Sequence, residues 1–579
     1  MTNKLLRAIF DQMADVMEIL GEDRFRVNSY RKVARLIGDI PTDVEILLAA
    51  GKLAKMAGIG KSSLAKIEEF VKTGEIIAHR DLLAKIPPGL PELLNIPGLG
   101  PKGVKAIYDR LKVTNVAELK AAIETGAVAG LSGFGDKKAA AIARGIAFLE
   151  KSTGRIRIDQ ALEAAEKVRR FLRDVSGMLR IRTAGSLRRW AETIGDVDIL
   201  VAGAGGEAAE KVVEAFTAAD FVREVIASGP TKGSAMIDTG GIGVHVDVRV
   251  VPEESFGAAA QYFTGSKEHN VRLREIAVKA KLKLNEYGLF KGEKMIAGAV
   301  EEEIYHKLGL DYVDPLLRED RGEVQASKEH RLPELIQLGD IKGDLHLHTI
   351  ASDGDCDICE FVETAQSLGY KYICITDHSK SSVIANGLSA KRLAQQIRQI
   401  RKLDTTVKGM TIFAGCEVDV LADGKMDFED ELLAELDFVI ASVHSGMSSS
   451  REKVTTRTLK AMDNPYVTCI GHPTGRLLGQ REAMDLDMAK VIEHAAETHT
   501  ALEINANPWR LDLKDTHCRM AIEAGVKLVI GTDAHSANGM GLMGFGVATA
   551  GRGWATRADV LNTLSTAKLK NWIKIKRSR

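Results

Sequence analysis

The chain has 579 residues, 45% hydrophobic and 27% charged, with 79 basic and 79 acidic side chains that cancel to a formal net charge of zero. That length is several times one ordinary hydrophobic core, so three or four domains are expected, and the composition excludes a disordered or fibrous chain. No apolar run reaches the ~20 residues of a membrane-spanning helix, and the opening Met1-Thr2-Asn3-Lys4 leads straight into an amphipathic helix pattern, so neither a signal peptide nor a membrane partner is expected.

All six cysteines lie at or after Cys356. Cys374, Cys416 and Cys469 fall inside apolar, strand-like runs, as reduced core residues do, so a cytoplasmic location is expected. The isolated Cys356-Asp357-Ile358-Cys359 reads as structural or incidental. Between Arg155 and Arg189 nine arginines and Lys167 face four acids. Such a stretch suits a phosphate backbone and equally suits a solvated helix face.

The first 150 residues show helical periodicity broken by three glycine turns: Ala57-Gly58-Ile59-Gly60-Lys61, Ile96-Pro97-Gly98-Leu99-Gly100-Pro101-Lys102-Gly103 and Leu131-Ser132-Gly133-Phe134-Gly135-Asp136-Lys137. Each leads into a helix start, which predicts a repeated helix–hairpin–helix. Its glycines allow a tight turn, and the amides of the next helix face a phosphate. One copy is an ordinary helix connection. Three copies point to DNA-backbone binding through Gly58, Gly60, Lys61, Gly98, Gly100, Lys102, Gly133 and Gly135.

From 153 to 318 the pattern turns to mixed strand and helix. Strands are expected at Leu179–Ala184, Asp196–Val201 and Val244–Val251, with acids alternating against apolar residues. Asp196 and Asp198 share one strand face, and Asp247 can join them from a neighbouring strand. Three converging carboxylates call for cations, and a pair of Mg²⁺ ions suits in-line phosphoryl transfer. The bland alternative makes Asp196 a turn cap and Asp198 a strand-edge residue. Just upstream, Gly185-Ser186-Leu187-Arg188-Arg189 offers an amide, a hydroxyl and fixed cations to a triphosphate. Residues 319–339 are polar and read as a linker.

From 340 to 579 apolar runs recur with helical patterns between them: Gly343–Thr349, Tyr372–His378, Thr411–Val418, Phe438–His444, Val467–His472, Leu502–Asn505 and Leu528–Asp533. Seven βα units predict a parallel barrel of the TIM kind. Nine potential metal ligands fall at or just beyond the ends of these runs: His346, His348, Asp353, His378, Glu417, His444, His472, Asp533 and His535. A lone buried histidine is usually a satisfied core residue. A recurring set of mixed nitrogen and oxygen donors instead predicts a multinuclear hydrolytic centre holding Mn²⁺ or Zn²⁺.

Gly185-Ser186-x-Arg188-Arg189, Gly195-Asp196-x-Asp198, Asp247-x-Arg249 and Tyr262-Phe263-Thr264-Gly265-Ser266 stand in the order and approximate spacing of the X family of DNA polymerases, which this region resembles. The resemblance implies that Asp196, Asp198 and Asp247 hold two catalytic metals, with Gly185, Ser186, Arg189 and Gly195 around the incoming triphosphate. It further implies that Tyr262, Phe263 and Gly265 discriminate against a ribose and that Asn270 lies near the base. Phe25-Arg26-x-x-x-Tyr30-Arg31 and Gly58-x-Gly60 resemble the same family's small lyase domain (1–80), followed by a fingers-like region (81–152). Lys66 falls where some members carry a Schiff-base lysine, with Tyr30 matching and Ser62 replacing their supporting lysine. A solvated Lys66 on a helix face is the alternative, because a Schiff-base lysine must be partly neutral.

The last block is similar to PHP (polymerase and histidinol phosphatase) domains, whose nine ligand positions are all filled. The whole chain thus resembles bacterial and archaeal family X polymerases with a C-terminal PHP domain: helical N-terminal hairpins, an α+β nucleotidyltransferase palm and thumb (153–318), and a (β/α)7 barrel. The function implied is gap-filling DNA repair synthesis from dNTPs, as in base excision repair, coupled to a 3′–5′ exonuclease, by a monomer acting on DNA 3′ ends. Alternatives for the barrel are a 3′-phosphatase, an AP endonuclease or a small phosphomonoesterase. A further one makes the chain a non-catalytic DNA-end-binding module.

Overall fold

The computed structural model describes residues 2–39, 44–56, 58–96, 99–152, 154–176, 180–203 and 206–578, so Ala57, Pro97, Gly98 and Leu179 of the segments above lie outside the described residues. The chain divides into two compact units. One is the helical region up to Gly154 with the short segments Asp238–Gly243 and Gly479–Arg481, and the other is the remainder from Arg155.

The first unit contains helices Thr2–Leu20, Arg24–Asp39, Val44–Ala49, Lys61–Thr73, Ile77–Leu83, Pro101–Leu111, Val116–Glu124 and Gly135–Ser152. Leu6, Phe10, Met13 and Met17 are buried at three- and four-residue spacing on the first, and Val27, Tyr30, Ala34 and Ile37 on the second. The glycine turns share one construction. Ile59, Leu99 and Phe134 are buried anchors, and each donates its backbone N–H to the carbonyl three residues back (Met56 3.2 Å, Ile96 3.0 Å, Leu131 3.1 Å). Gly58 and Gly133 take positive φ (+102° and +84°), which only glycine adopts without strain.

In the second unit, a five-stranded sheet runs in the order Ile181–Thr183, Val197–Ala202, Ile242–Val251, Lys232–Thr239, Val222–Ser228. Its central pair is parallel, and Asp198 is in register with Asp247. The helices Phe256–Thr264 and Lys267–Lys279 lead to a three-stranded sheet (Lys283–Asn285, Gly288–Lys291, Lys294–Ala297) and the helix Glu301–Lys307. These two parts are locked by a buried ion cluster. Glu301, 1% exposed, accepts from Arg318 at 2.6 Å, from Arg188 at 2.7 Å and from Arg182 at 3.4 Å. Arg318 is the largest fully buried side chain among the described residues and also donates twice to the Val313 carbonyl at 2.9 and 2.8 Å.

Residues 319–339, expected as a polar linker, carry a helix of their own, Glu323–Lys328, and two of their acids are engaged inside the protein. Glu323 is fully buried against His269 at 2.7 Å, and Glu319 receives Arg189 at 3.0 Å. A hydrophilic segment reads as a tether in sequence because its partners are distant in the chain.

Seven parallel strands follow in sequential order: Gly343–Leu347, Tyr372–Ile375, Thr411–Asp419, Phe438–Ser442, Cys469–Ile470, Ala501–Asn505 and Leu528–Gly531. They coincide with the seven predicted runs, as expected of strands buried on both faces. A parallel bridge from Leu347 to Ala534 brings the first strand against the seventh. At the other end the buried Asn562 side chain donates to the Gly343 and Ile530 carbonyls (2.9 and 2.8 Å) and accepts from the Ile530 amide (2.8 Å), lacing the same two strands. The barrel meets the preceding α+β region through Arg476–Glu192 at 2.6 Å, and the 319–339 segment through Arg552–Glu319 at 2.9 Å.

The ion cluster yields a stability prediction. Burial opposes the charge on Glu301, but Arg318 and Arg188 hold its carboxyl down at about 2, against an ordinary 4.5. Its contribution is therefore complete above pH 4.5 and is lost as the pH falls towards 2. Glu301→Ala strands buried guanidinium groups and costs about 3–5 kcal/mol at neutral pH. Thermal unfolding should show a large loss at pH 7 that narrows on acidification through that window. Equal stability at pH 7 would contradict it.

Candidate active sites

The acidic site of the palm is assembled by register. Asp198 lies beside Asp247 across the parallel pair, and Asp196 sits just before the same strand. Gly185, at φ +62°, is required here: a Cβ would stand 2.2 Å from Asp198 Oδ2. The Asp198 carboxyl is pushed up to about 7 by burial and by the nearby charges of Asp196 and Asp247. Such a triad has too little positive charge of its own. Asp247 is the exception, because Lys232 Nζ approaches Oδ2 at 2.5 Å and His245 Nε2 approaches Oδ1 at 3.3 Å. Burial acts against its ionised form, but hydrogen bonds from Lys232 and Ser234 outweigh that and lower its pKa. Neither Lys232 nor His245 was singled out by sequence. His245 was findable, standing two residues before Asp247 on one strand face.

Arg189 is fixed by Glu319 and by donation to the Thr264 carbonyl at 2.5 Å, and a Cβ on Gly265 would approach its guanidinium to 3.2 Å. The turn Gly185–Arg189 and the segment Tyr262–Gly265 are thereby brought together. The Tyr262 and Phe263 rings meet edge-on with centroids 5.2 Å apart, and the Arg249 guanidinium covers Phe263 at 4.5 Å. Asn270 donates to the Tyr262 carbonyl and accepts from Gln261, both at 2.7 Å, so its amide holds the Tyr262 backbone. Ser186 lies within the short helix Gly185–Arg188, and Gly195 precedes Asp196 beside Arg155.

In the helical unit, Gly60 and Gly100 cap the helices Lys61–Thr73 and Pro101–Leu111 with extended backbone, and a Cβ at either would meet nothing within 4 Å. Lys61 and Lys102 are exposed in the first turns that follow, and Gly135 opens the helix after the third hairpin. Lys66 donates to Ser62 Oγ at 2.9 Å and stands 5.8 Å from the Tyr30 ring centre, so the three lyase-motif residues are neighbours.

The barrel gathers its predicted ligands at the C-terminal ends of its strands. Three overlapping sets have all their donor atoms within 4.8 Å of one another: His348, Asp353, His378 and His535; His346, His348 and Asp533; and His378, Glu417 and His444. His472 joins through Glu417 Oε1 at 2.9 Å. His346 and His348 are wholly buried beneath a cavity of about 570 Å³ lined by the other seven candidate ligands, with Ser382, Val383, Ile384, Asp419 and Arg510. His346 Nε2, His348 Nε2, His378 Nδ1 and Glu417 Oε2 are buried without an aligned hydrogen bond. Convergent unsatisfied donors of this kind fit a multinuclear metal centre.

Protonation states agree with that fit. Burial and the neighbouring His378 and His535 charges drive His348 down to about 3, leaving a neutral imidazole with a free lone pair. Burial opposes charge on His444 and His535 too, but the Glu417 and Asp419 carboxylates raise the first to about 10, and Asp353 and Asp533 raise the second to about 9. Protons thus occupy the cluster where cations would bind.

A supporting layer escaped the sequence reading. Glu503 accepts from His346 Nδ1 at 2.6 Å and from the His472 amide at 2.5 Å, and Gly531 is glycine because a Cβ would lie 2.3 Å from Glu503 Oε1. Asp419 holds His444 Nδ1 at 2.9 Å, and Asn505 donates to Asp533 at 3.0 Å. Glu503 had a signal: it is the one acid inside the otherwise apolar run Leu502–Ile504. Partners of this kind orient ligand imidazoles. Glu503→Ala should lower Mn²⁺ affinity by about 10- to 100-fold in a calorimetric titration. Glu503→Gln, which can still accept from the His472 amide, should recover part of it. Unchanged affinity in Glu503→Ala would refute the role.

Family models match four segments: a helix-hairpin-helix domain over residues 1–76, a SAM-like helix-hairpin-helix tandem over 90–147, a DNA polymerase beta thumb over 259–319 and a PHP domain over 344–507. The barrel region is similar to a probable phosphatase of Caldicellulosiruptor bescii, 33% identical over 204 residues that cover 33% of this chain and 79% of the relative. A probable phosphatase of Thermoanaerobacter sp. is 30% identical over 247 residues, covering 41% and 96%. The DNA polymerase/3′-5′ exonuclease PolX of Bacillus subtilis strain 168 is 37% identical over 579 residues, covering 99% of this chain and 100% of that one. With similarity running the whole length, an acidic triad in the α+β region and nine candidate ligands gathered in the barrel, the chain belongs to the PolX family of DNA polymerase/3′-5′ exonucleases.

Proposed function

We propose that this chain fills short gaps in DNA by template-directed addition of dNTPs at its palm and trims 3′ ends at its barrel, as a cytoplasmic monomer in base excision repair. The observation that carries the reading is the presence of two chemically distinct donor clusters in one folded unit: an all-carboxylate triad and a histidine-rich cluster. The first donor set favours Mg²⁺ and the second Mn²⁺ or Zn²⁺. Among the described residues no helix is long and apolar enough to cross a membrane.

In synthesis, the primer 3′-oxygen attacks the α-phosphorus of the dNTP and pyrophosphate leaves. Bound divalent ions would acidify the attacking hydroxyl and screen the phosphate charge. Asp196, Asp198 and Asp247 would hold them, Arg189 and Ser186 orient the triphosphate with Gly185 and Gly195 alongside, and Tyr262, Phe263 and Gly265 wall the sugar, their backbone steadied by Asn270. The hairpin glycines with Lys61 and Lys102 grip the DNA backbone, and Lys66 beside Tyr30 is the candidate for a lyase step. In trimming, a water oxygen attacks the terminal phosphodiester and releases a nucleoside monophosphate. His348, neutral over the working pH range, would offer its lone pair to a cation bound there, and Glu503 and Asp419 hold the flanking imidazoles.

A second reading is favoured by the likeness of the barrel region to probable phosphatases: hydrolysis of DNA 3′-phosphates or small phosphomonoesters. Turnover of a 3′-phosphorylated oligonucleotide, a 3′-hydroxyl oligonucleotide and a small phosphomonoester separates the two. On gapped DNA, Asp198→Ala should lower synthesis by about a thousandfold or more while trimming survives. His348→Ala should abolish trimming and leave synthesis intact. Synthesis unchanged in the first variant, or trimming persisting in the second, would overturn the corresponding assignment.

A further inference from the structure

The short 3-10 turn Val383–Ala385 carries two large aliphatic side chains into solvent, Val383 at 79% and Ile384 at 104% exposure, and both line the cavity above the metal ligands. Exposed single hydrophobic residues are ordinary, but two adjacent ones at the mouth of a polar hydrolytic site are not a consequence of packing.

The turn is not loose. Its entry is tied by Ser381 Oγ to Asp427 at 2.6 Å and by Ser382 Oγ to Asp419 at 2.6 Å. Its exit is tied by Asn386 Nδ2 to the Ser352 carbonyl at 3.1 Å, with Asn386 itself at φ +53°. Gly387 packs so closely that a Cβ would lie 1.9 Å from the Ser379 carbonyl oxygen. The protein therefore holds an apolar tip rigidly in water, directly after Ser382, whose hydroxyl is 3.5 Å from His444 Nδ1.

On the exonuclease reading, whatever covers this tip also brings a phosphodiester to the ligands below it, where Arg510, 3.5 Å from Asp533, lines the same cavity. A nucleotide meets both demands: its phosphate belongs at the cluster and its flat base on an aliphatic surface. Aliphatic side chains pressed against bases are an established means of parting a base step. We infer that Val383 and Ile384 pack against the 3′-terminal nucleobase while its phosphodiester is cleaved, so that the barrel selects a strand end with a base and draws it from its neighbour. This rests on the exonuclease reading above.

The test uses the full-length Val383→Ser/Ile384→Ser variant on two 5′-labelled duplexes that differ only in the 3′-terminal residue, thymidine or an abasic tetrahydrofuran. Removal of the thymidine should slow about tenfold in single turnover with Mn²⁺, the size expected from withdrawing one to two buried aliphatic groups, while removal of the abasic residue changes little. Ile384→Phe should retain the preference for the base. With 2-aminopurine at the 3′ terminus and EDTA present, wild-type protein should change the probe's fluorescence on binding and the serine variant should not. Unaltered thymidine removal, equal slowing on both substrates, or an identical 2-aminopurine response in the variant would each overturn the inference. Wild-type protein that removes neither residue would instead defeat the exonuclease reading, and this inference with it.

Discussion

Withdrawing an ionised side chain from water costs several kcal/mol unless opposite charge or well-aligned hydrogen bonds replace the solvent. The second unit meets that constraint in two opposite ways. At Glu301 the protein supplies everything: three guanidinium groups converge on one carboxylate, which stays ionised down to about pH 2. At Asp198 it does not, and burial beside Asp196 and Asp247 lifts the carboxyl to about 7. The first is a structural clamp between palm and thumb. The second is a site left short of positive charge, which is the physical signature of a place meant for cations.

The barrel carries the same deficit further. Its strand ends aim imidazoles and carboxylates at one another, and several of their atoms find no aligned partner. Protons on His444 and His535 neutralise part of the charge, and Glu503, Asp419 and Asn505 lock the geometry from behind. The closure of the first strand against the seventh, through Leu347–Ala534 at one end and Asn562 at the other, brings His346 and His348 to Asp533 and His535. Fold and chemistry thus depend on one another. The sheet supplies the rim, and the rim concentrates charge that only bound cations can fully balance.

Much of this was legible in the sequence, for identifiable reasons. Barrel strands buried on both faces leave continuous apolar runs, and the ligands punctuate their ends, so seven strands and nine donors could be read locally. Helix–hairpin–helix turns are likewise local, because Gly58-Ile59-Gly60 encodes its own turn and anchor. What stayed hidden depends on long-range register. The sequence places Asp247 with Asp196 and Asp198, but not Lys232, which reaches Asp247 only because its strand Lys232–Thr239 lies on the other side of Ile242–Val251 in the sheet. Asp419 and Asn562 act through groups far away in the chain, and spacing carries no trace of such contacts; Glu503 shows only as a lone acid in an apolar run, with no sign of its partners. The segment 319–339 looked like a tether for the same reason: Glu319 and Glu323 have partners in Arg189 and His269 that only the fold reveals.

If protons stand in for cations in the barrel, metal binding must expel them. Calorimetric titration of the chelator-treated protein with Mn²⁺ at pH 7.5, repeated in buffers of different ionisation enthalpy, measures that exchange directly. With His444 and His535 protonated up to about 10 and about 9, and His346 and His378 also raised by the carboxylates around them against the effect of burial, binding should release at least about two protons per chain, so the observed heat should vary linearly with buffer ionisation enthalpy. Heat independent of the buffer would show that the cluster is already free of exchangeable protons and would contradict the electrostatic origin proposed for the site.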